Sequence, residues 1–311
     1  MRDEAIECRI CGAKVDPSVH LRWVRDGFEI LRCPRCGLLF RADPPQRGEL
    51  SKLYGDAYFR AAEANGHRGE GYPDYMEDEE LHRRNARPRL DLLGQHVRPG
   101  RLLDVGCAAG FFLDEARRRG WEAVGVELAP SMVANAHERL GLDVIEAPFD
   151  EIGISGSLFD ALTMWDYIEH SVDPVADLRR AYSLLRPGGV LALSTGDAGS
   201  LVARLSGRRW HLLTPRHHNF FFNRQTLARA LSAAGLHVRR EGTVASRYSL
   251  HYLAHKLQTM GTPLAPRAAR RLQGTRLGAL ALPVDLFDIM TVVAQRPAPA
   301  NGGSGGGATP T

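Results

Sequence analysis

At 311 residues, with 44% apolar side chains and a formal net charge of +4, the chain is long enough for about two folded domains and has neither a disordered nor a fibrous composition. Its positive residues are spread out, and all but Lys14, Lys52 and Lys256 are arginine, so the basic stripe with interleaved aromatics that suits nucleic acid is missing and a nucleic-acid partner is not expected. No apolar run reaches the ~18–20 residues that span a bilayer and no signal peptide precedes the first cysteines, which predicts a cytoplasmic protein without a transmembrane segment.

In chain order, the first signal is a pair of CxxCG knuckles, CRICG (8–12) and CPRCG (33–37). Cys8, Cys11, Cys33 and Cys36 can converge as four thiolates on one tetrahedral ion, and zinc is the expected one. Two disulfides are the competing reading, but a reducing compartment and a chain of this length argue against it. Residues 1–45 are read as this zinc-binding module and 46–97 as connecting helices. In the latter, Leu50, Leu53 and Tyr54 mark a helical apolar side, Arg60 to Tyr75 has no periodicity, and 77–97 is an amphipathic helix. The aperiodic stretch is a candidate lid that turns Tyr72 and Tyr75 toward a substrate, or a surface loop whose tyrosines pack.

Residues 101–128, RLLDVGCAAGFFLDEARRRGWEAVGVEL, read as strand, glycine-bearing turn, helix and strand. Gly106 and Gly110 let the turn's backbone approach a ligand, and Glu127, at the end of the second strand, can accept hydrogen bonds from ribose hydroxyls. Cys107 stands where a GxGxxG turn has its second glycine, so a pyrophosphate fits poorly. No partner for Cys107 suggests a nucleophile, and it is read as structural. The turn DVGCAAG resembles motif I (DxGxGxG) of the class I S-adenosylmethionine (SAM) methyltransferases, with Asp104 at its head and Ala108 in place of the second glycine. Further on, LDVIEAPFDEI (142–152), FDALTMWDYIEHSVDP (159–174) and LLRPGGVLALSTG (184–196) resemble the third to fifth strands of that family and their loops. The FD…EH…DP stretch is similar to the ubiquinone-type small-molecule O-methyltransferases. The likeness covers roughly residues 95–245.

The resemblance implies an α/β protein with a doubly wound, seven-stranded Rossmann-like sheet over 98–297, behind a zinc-ribbon-like N-terminal module. It implies a SAM site built from Asp104, Gly106, Cys107, Ala108, Gly110, Phe111, Glu127, Leu128, Ala147, Pro148, Phe149, Trp165 and Asp166, with 147–149 flanking the adenine. In the ubiquinone-type enzymes the positions of Asp166, Glu169 and His170 are associated with a divalent metal, so Mg2+ is a further expected ion. Those three residues share one face if the turn after the fourth strand begins a helix.

The stretch WHLLTPRHHNFFFN (210–223) holds His211, His217 and His218. An imidazole of near-neutral pKa suits removal of a proton from an acceptor, and His218, His170 and His217 are the expected catalytic side chains, His218 first. His218 resembles the histidine of a tyrosine–acid–histidine arrangement in zinc-containing sugar C-methyltransferases, although Pro215 and His217 occupy its tyrosine and acid positions. A packed loop leading to a helix at 224–235 is the structural alternative. Beyond it, HVRREGT and LFDIMTVVAQRP are strands six and seven, the last inserted antiparallel beside strand five as in the family. The basic, leucine-bearing stretch 266–282 is a surface helix, or a peripheral membrane contact for a lipid-linked acceptor. Residues 298–311 form a low-complexity tail. The expected function is methyl transfer from SAM to oxygen of a small-molecule, glycan or lipid-linked acceptor. An rRNA base methyltransferase, a sugar C-methyltransferase and a non-catalytic SAM-binding scaffold are the alternatives.

Overall fold

The computed structural model describes residues 5–59, 75–156, 158–259 and 265–298. Tyr72, nearly all of the expected lid and most of the tail fall outside them. The N-terminal part begins with a ribbon of β1 (Ile6–Glu7) and β2 (Lys14–Val15) around the first knuckle. One turn of helix, α1 (Pro17–His20), is capped by the Asp16 side chain on Ser18 N–H. The hairpin of β3 (Leu21–Arg25) and β4 (Phe28–Arg32) follows, its turn made by Asp26 and Gly27, both at positive φ as a tight hairpin loop requires. β5 (Leu39–Arg41) leaves the second knuckle and pairs with β4. Two four-residue helices, α2 (Leu50–Leu53) and α3 (Asp56–Phe59), precede the long α4 (Glu79–Gly94).

The alternating units come next: β6 (Arg101–Val105), α5 (Phe111–Arg118), β7 (Glu122–Glu127), α6 (Pro130–Ala134), β8 (Asp143–Glu146), β9 (Phe159–Trp165), α7 (Pro174–Leu184) and β10 (Leu185–Gly196). A short helix α8 (Leu201–Ser206), the two-residue strand β11 (Phe220–Phe221), α9 (Arg224–Ala233) and β12 (His237–Gly242) follow. An insertion of β13 (Ser246–Ser249), α10 (Leu250–Thr259), α11 (Ala265–Leu272) and β14 (Ala281–Val284) precedes β15 (Ile289–Gln295). The basic stretch is therefore helical only over its first half.

The seven-stranded sheet has the order β12-β15-β10-β9-β6-β7-β8. β6 to β10 run parallel, and β15 lies antiparallel between β10 and β12, as expected of strand seven. The chain winds outward from β6 through β7 to β8, then returns to place β9 on the other side of β6. That reversal opens a crevice at the carboxyl ends of the parallel strands, where such sheets bind ligands. Strands buried on both faces read as continuous apolar runs, and Leu102, Leu103, Leu162, Met164, Leu191 and Leu193 are all fully buried.

A second sheet, β11-β5-β4-β3, joins the N-terminal part to the rest, because β11 pairs antiparallel with β5 through Phe220 with Phe40 and Phe221 with Leu39. One apolar cluster runs without a break from Val15, Leu31 and Phe40 to Met164, Phe222 and Leu227. Among the described residues, no helix is long and apolar enough to cross a membrane.

Cys107 packs where the sheet leaves least room. A Cβ added to Gly125 of β7 would stand 2.5 Å from its Sγ, 2.7 Å from Leu113 Cδ1 and 3.0 Å from Val144 Cγ2. Gly125→Ala is expected to destabilise the protein by about 1–3 kcal/mol, the usual cost of overpacking a tight core. Denaturant unfolding checks it, and Cys107→Ala in the same chain should recover part of the loss.

Candidate active site and cysteine centre

A cavity of about 710 Å³ occupies the carboxyl edge of the sheet. On one side it is walled by the turn after β6 and the ends of β7, β8 and β9. Gly106, Cys107, Ala108, Glu127, Leu128, Ala147, Pro148, Phe149, Trp165 and Asp166 all line it. Asp104, Gly110 and Phe111 do not. Asp104 is buried and accepts a 2.6 Å hydrogen bond from Thr163 Oγ1; burial, partly offset by that bond, pushes its carboxyl up to about 7. Gly110, at φ +83°, starts α5. Phe111 packs parallel to Tyr75 and His82 behind the wall, which puts Tyr75 in a ring stack as well as on the cavity's rim.

The turn's backbone alternates into the left-handed region at Gly106 (φ +73°), Ala108 (+47°) and Gly110 (+83°). Alanine there is unusual and carries strain. The conformation directs Ala108 N–H onto Glu127 Oε2 at 2.9 Å, while Leu128 and Ala129 N–H donate to Oε1 at 2.7 and 3.0 Å. Despite these three donors, burial dominates and the Glu127 carboxyl lies above its ordinary value. A carboxylate has about four acceptor positions, so Oε2 keeps room for a ribose hydroxyl. The pairing of an anchored acid with a turn whose backbone reaches the cavity fits a nucleoside-bearing cofactor. Phe149, buried and in edge contact with Tyr167 while Arg180 lies over its ring, forms the apolar floor.

The other side of the cavity gathers the histidines. β9 ends at Trp165, Asp166 turns back at φ +53°, and a single 3-10 turn (Ile168–His170) follows in place of a helix. The expected Asp166–Glu169–His170 face is therefore not assembled. Asp166 instead accepts from Ser194 Oγ at 2.8 Å and pairs with Arg89 Nη2 at 3.0 Å, and Arg89 lies over the Trp165 ring. What meets is Glu169, His170 and His218, whose ligand-type atoms all lie within 4.8 Å of one another. Two imidazoles and one carboxylate suit a transition metal better than Mg2+, which prefers oxygen. Nothing in the arrangement supports the Mg2+ expectation.

His170 Nδ1 contacts the His217 carbonyl at 3.0 Å and His218 Nδ1 the Leu212 carbonyl at 3.0 Å. A carbonyl only accepts, so in each ring Nδ1 carries the proton and Nε2 the lone pair. Burial drives His170 down to about 4, and it stays neutral through the physiological range. His217 also lines the cavity, with its ring in edge contact with Tyr58, and its carbonyl accepts from the Tyr54 hydroxyl. His211 lines the same cavity but lies outside this cluster, 3.5 Å from Asp288.

Glu169 is 4% exposed and fully enclosed, with Oε2 lacking a hydrogen-bond partner among the described residues. Burial first, and the Asp166 charge second, push its carboxyl up to about 8. The folded chain thus holds a proton that the unfolded one, near 4.5, gives up earlier, so this group's contribution to stability is complete below about 4.5 and is lost as pH rises through about 8. Glu169→Gln should flatten the fall in thermal stability between about pH 4.5 and 8 relative to the parent chain. Parallel curves would contradict this.

Sequence reasoning did not find Tyr54, Tyr58, Arg89, Tyr248 or Tyr252, which also line the cavity. Tyr54 was read only as part of a helical apolar side, and Arg89 had a local signal in lying four residues after Asn85 and seven after His82, on one face of α4.

The four cysteines are free and lie together at the knuckles, with Cys8 Sγ 3.6 Å from Cys36 Sγ and Cys11 Sγ 3.5 Å from Cys33 Sγ. Zinc–sulfur bonds of ~2.3 Å arranged tetrahedrally place sulfurs ~3.8 Å apart, and this spacing fits that ion. Gly12 (φ +69°) and Gly37 (φ +81°) close the two knuckles by donating to the carbonyls of Cys8 and Cys33.

Residues 78–241 match the family described as methyltransferase domain. A ubiquinone biosynthesis O-methyltransferase of Xanthomonas axonopodis pv. citri (strain 306) is 30% identical over 200 residues, covering 55% of this chain and 82% of that protein. The enzyme of the same description from Xanthomonas campestris pv. campestris (strain B100) is 31% identical over 196 residues, covering 53% and 80%. Among solved structures, the Burkholderia thailandensis 1,6-didemethyltoxoflavin-N1-methyltransferase, with 1,6-didemethyltoxoflavin and S-adenosylhomocysteine bound, shares the fold at a TM-score of 0.51 and 16% identity, over 90% of this chain and 100% of that one.

Proposed function

Because the chain belongs to the methyltransferase-domain family and is a SAM-dependent enzyme, we propose that it methylates a hydroxyl oxygen on a small molecule with an apolar body. The observation that carries this reading is the pair of backbone-tethered imidazoles, His170 and His218, on the wall of the cavity that Glu127 also lines. The ubiquinone O-methyltransferase relatives support oxygen as the accepting atom.

SAM supplies an electrophilic methyl group on a sulfonium, and Glu127 with the turn at 106–108 would hold its nucleoside end. The chain's own task is alignment and one proton transfer. His218 Nε2 takes the proton from the acceptor hydroxyl as its oxygen becomes nucleophilic, and the Leu212 carbonyl bond stabilises the resulting imidazolium. His170, kept neutral by burial, orients the hydroxyl. Tyr248, Tyr252, Leu253, Leu257, Leu286 and Ile289 form the far wall. They suit an aromatic or lipid-linked intermediate better than a glycan, whose many hydroxyls would lose water without enough partners.

Incubation with methyl-labelled SAM and a panel of hydroxylated aromatic acceptors tests the reading, with product analysis separating O-methyl from C-methyl and N-methyl products. Label on oxygen is expected; label only on carbon or nitrogen would refute it. Glu127→Ala should weaken SAM binding about 10–100-fold in a calorimetric titration, the scale of losing a charge-assisted hydrogen bond and loosening the turn.

A further inference from the structure

A separate cavity of about 550 Å³ lies beside the second knuckle, between the α1–β3 junction, the end of β4 and α9. Four arginines line it, Arg22, Arg32, Arg35 and Arg229, with His20 and Gln225, and its lining includes no acidic residue and no phenylalanine, tyrosine or tryptophan. Arginines elsewhere in the chain are commonly paired with carboxylates: Arg83 with Asp114, Arg119 with Asp91, Arg186 with Asp160 and Arg224 with Asp197 and Glu241. None of the four in this groove has a carboxylate within 4.0 Å among the described residues, by contrast.

Two of them are fixed by the knuckles themselves. Arg35 Nη1 donates to the Cys11 carbonyl at 3.3 Å and Arg229 Nη1 to the Cys36 carbonyl at 3.2 Å. A zinc ion with four thiolates carries a net charge of about −2, which two guanidinium groups neutralise. Arg22 and Arg32 are then in excess. Both are exposed, and neither has a hydrogen-bond or ion-pair partner among the described residues, Arg22 only lying against the Trp23 ring.

From this convergence of unpaired guanidinium groups we propose that the groove binds a diphosphate group of a small-molecule ligand. Guanidinium forks match phosphate oxygens bidentately, and an excess of about two positive charges matches a diphosphate. Single-stranded nucleic acid is held by successive bases stacked on aromatic rings as well as by charge, and this groove offers no phenylalanine, tyrosine or tryptophan, only the imidazole of His20.

The test is calorimetric titration of the zinc-loaded full-length protein with pyrophosphate at about 0.15 M salt, with inorganic phosphate as the comparison. One pyrophosphate per chain is expected, bound about tenfold or more tightly than phosphate. Arg22→Gln with Arg32→Gln should weaken it by about tenfold or more while zinc content and SAM affinity stay unchanged. No saturable binding at that salt, or equal binding by the double variant, overturns the proposal. Displacement of pyrophosphate by lower concentrations of single-stranded RNA also overturns it, since the groove would then be a nucleic-acid contact.

Discussion

Replacing His218 by alanine is expected to lower the turnover number by roughly 10²–10⁴-fold, the usual range for loss of a general base, while the dissociation constant for SAM stays nearly constant. The two quantities separate because His218 stands with Glu169 and His170, whereas in the proposed reading Glu127 and the turn after β6 would hold the nucleoside end. The tether to the Leu212 carbonyl gives a second readout. It fixes the tautomer and stabilises the charged ring, so the parent enzyme's rate should rise with pH in a way that the variant's does not. Single-turnover kinetics with labelled SAM across pH checks both. A variant that turns over normally, with an unchanged pH profile, would remove His218 from proton transfer.

Treating the protein with a chelator that would remove zinc from the cysteine centre, or substituting Cys33 by serine, should sharply slow methyl transfer even though no cysteine of the centre lines the cavity. Structural zinc contributes on the order of 10 kcal/mol to the folding of small modules, so zinc-bound knuckles would lose their order on its removal. The loss then travels along β5. Arg41 N–H donates to the Asn219 carbonyl and Arg41 Nη1 to the Pro215 carbonyl, which holds the histidine loop from both ends. Asn219 in turn donates through Nδ2 to the carbonyls of His170 and Ser171. The transfer rate is expected to fall at least about 10²-fold, the scale of a misplaced catalytic group, with SAM affinity changed only several-fold. Hydrogen exchange should show lost protection at residues 39–41 and 219–221 before the parallel strands. Undiminished transfer by metal-free protein would mean that the module does not position the loop.

The meeting of Glu127 with the glycine-bearing turn was legible in the sequence because its parts are local. A turn of DVGCAAG and an acid at the end of the next strand are brought together by the geometry of one βαβ unit, whatever the rest of the chain does. The histidine cluster was only half legible. Histidine density singled out 210–223, but that His218 meets Glu169 and His170 depends on a contact across 48 residues. The shared face expected for Asp166, Glu169 and His170 assumed helical spacing. Asp166 takes a left-handed conformation that ends the strand sharply, and its carboxylate is drawn to Ser194 and Arg89, which local periodicity cannot reveal. β11 was invisible for a different reason: two phenylalanines in a run of three have no pattern of their own, and only the edge of β5 makes them a strand.

That two-residue strand also sets a timetable for synthesis. β5 leaves the ribosome early, yet its partner emerges only after roughly 180 further residues, about 9–36 s at 5–20 residues per second. Until then the outer edge of β5 is an open template for a neighbouring nascent chain. A metal ion captured early at the knuckles would keep β3, β4 and β5 in register during the wait. Expression under zinc limitation should therefore lower the yield of native protein through aggregation of chains paused before residue 220, and restoring the ion after release should recover little of it.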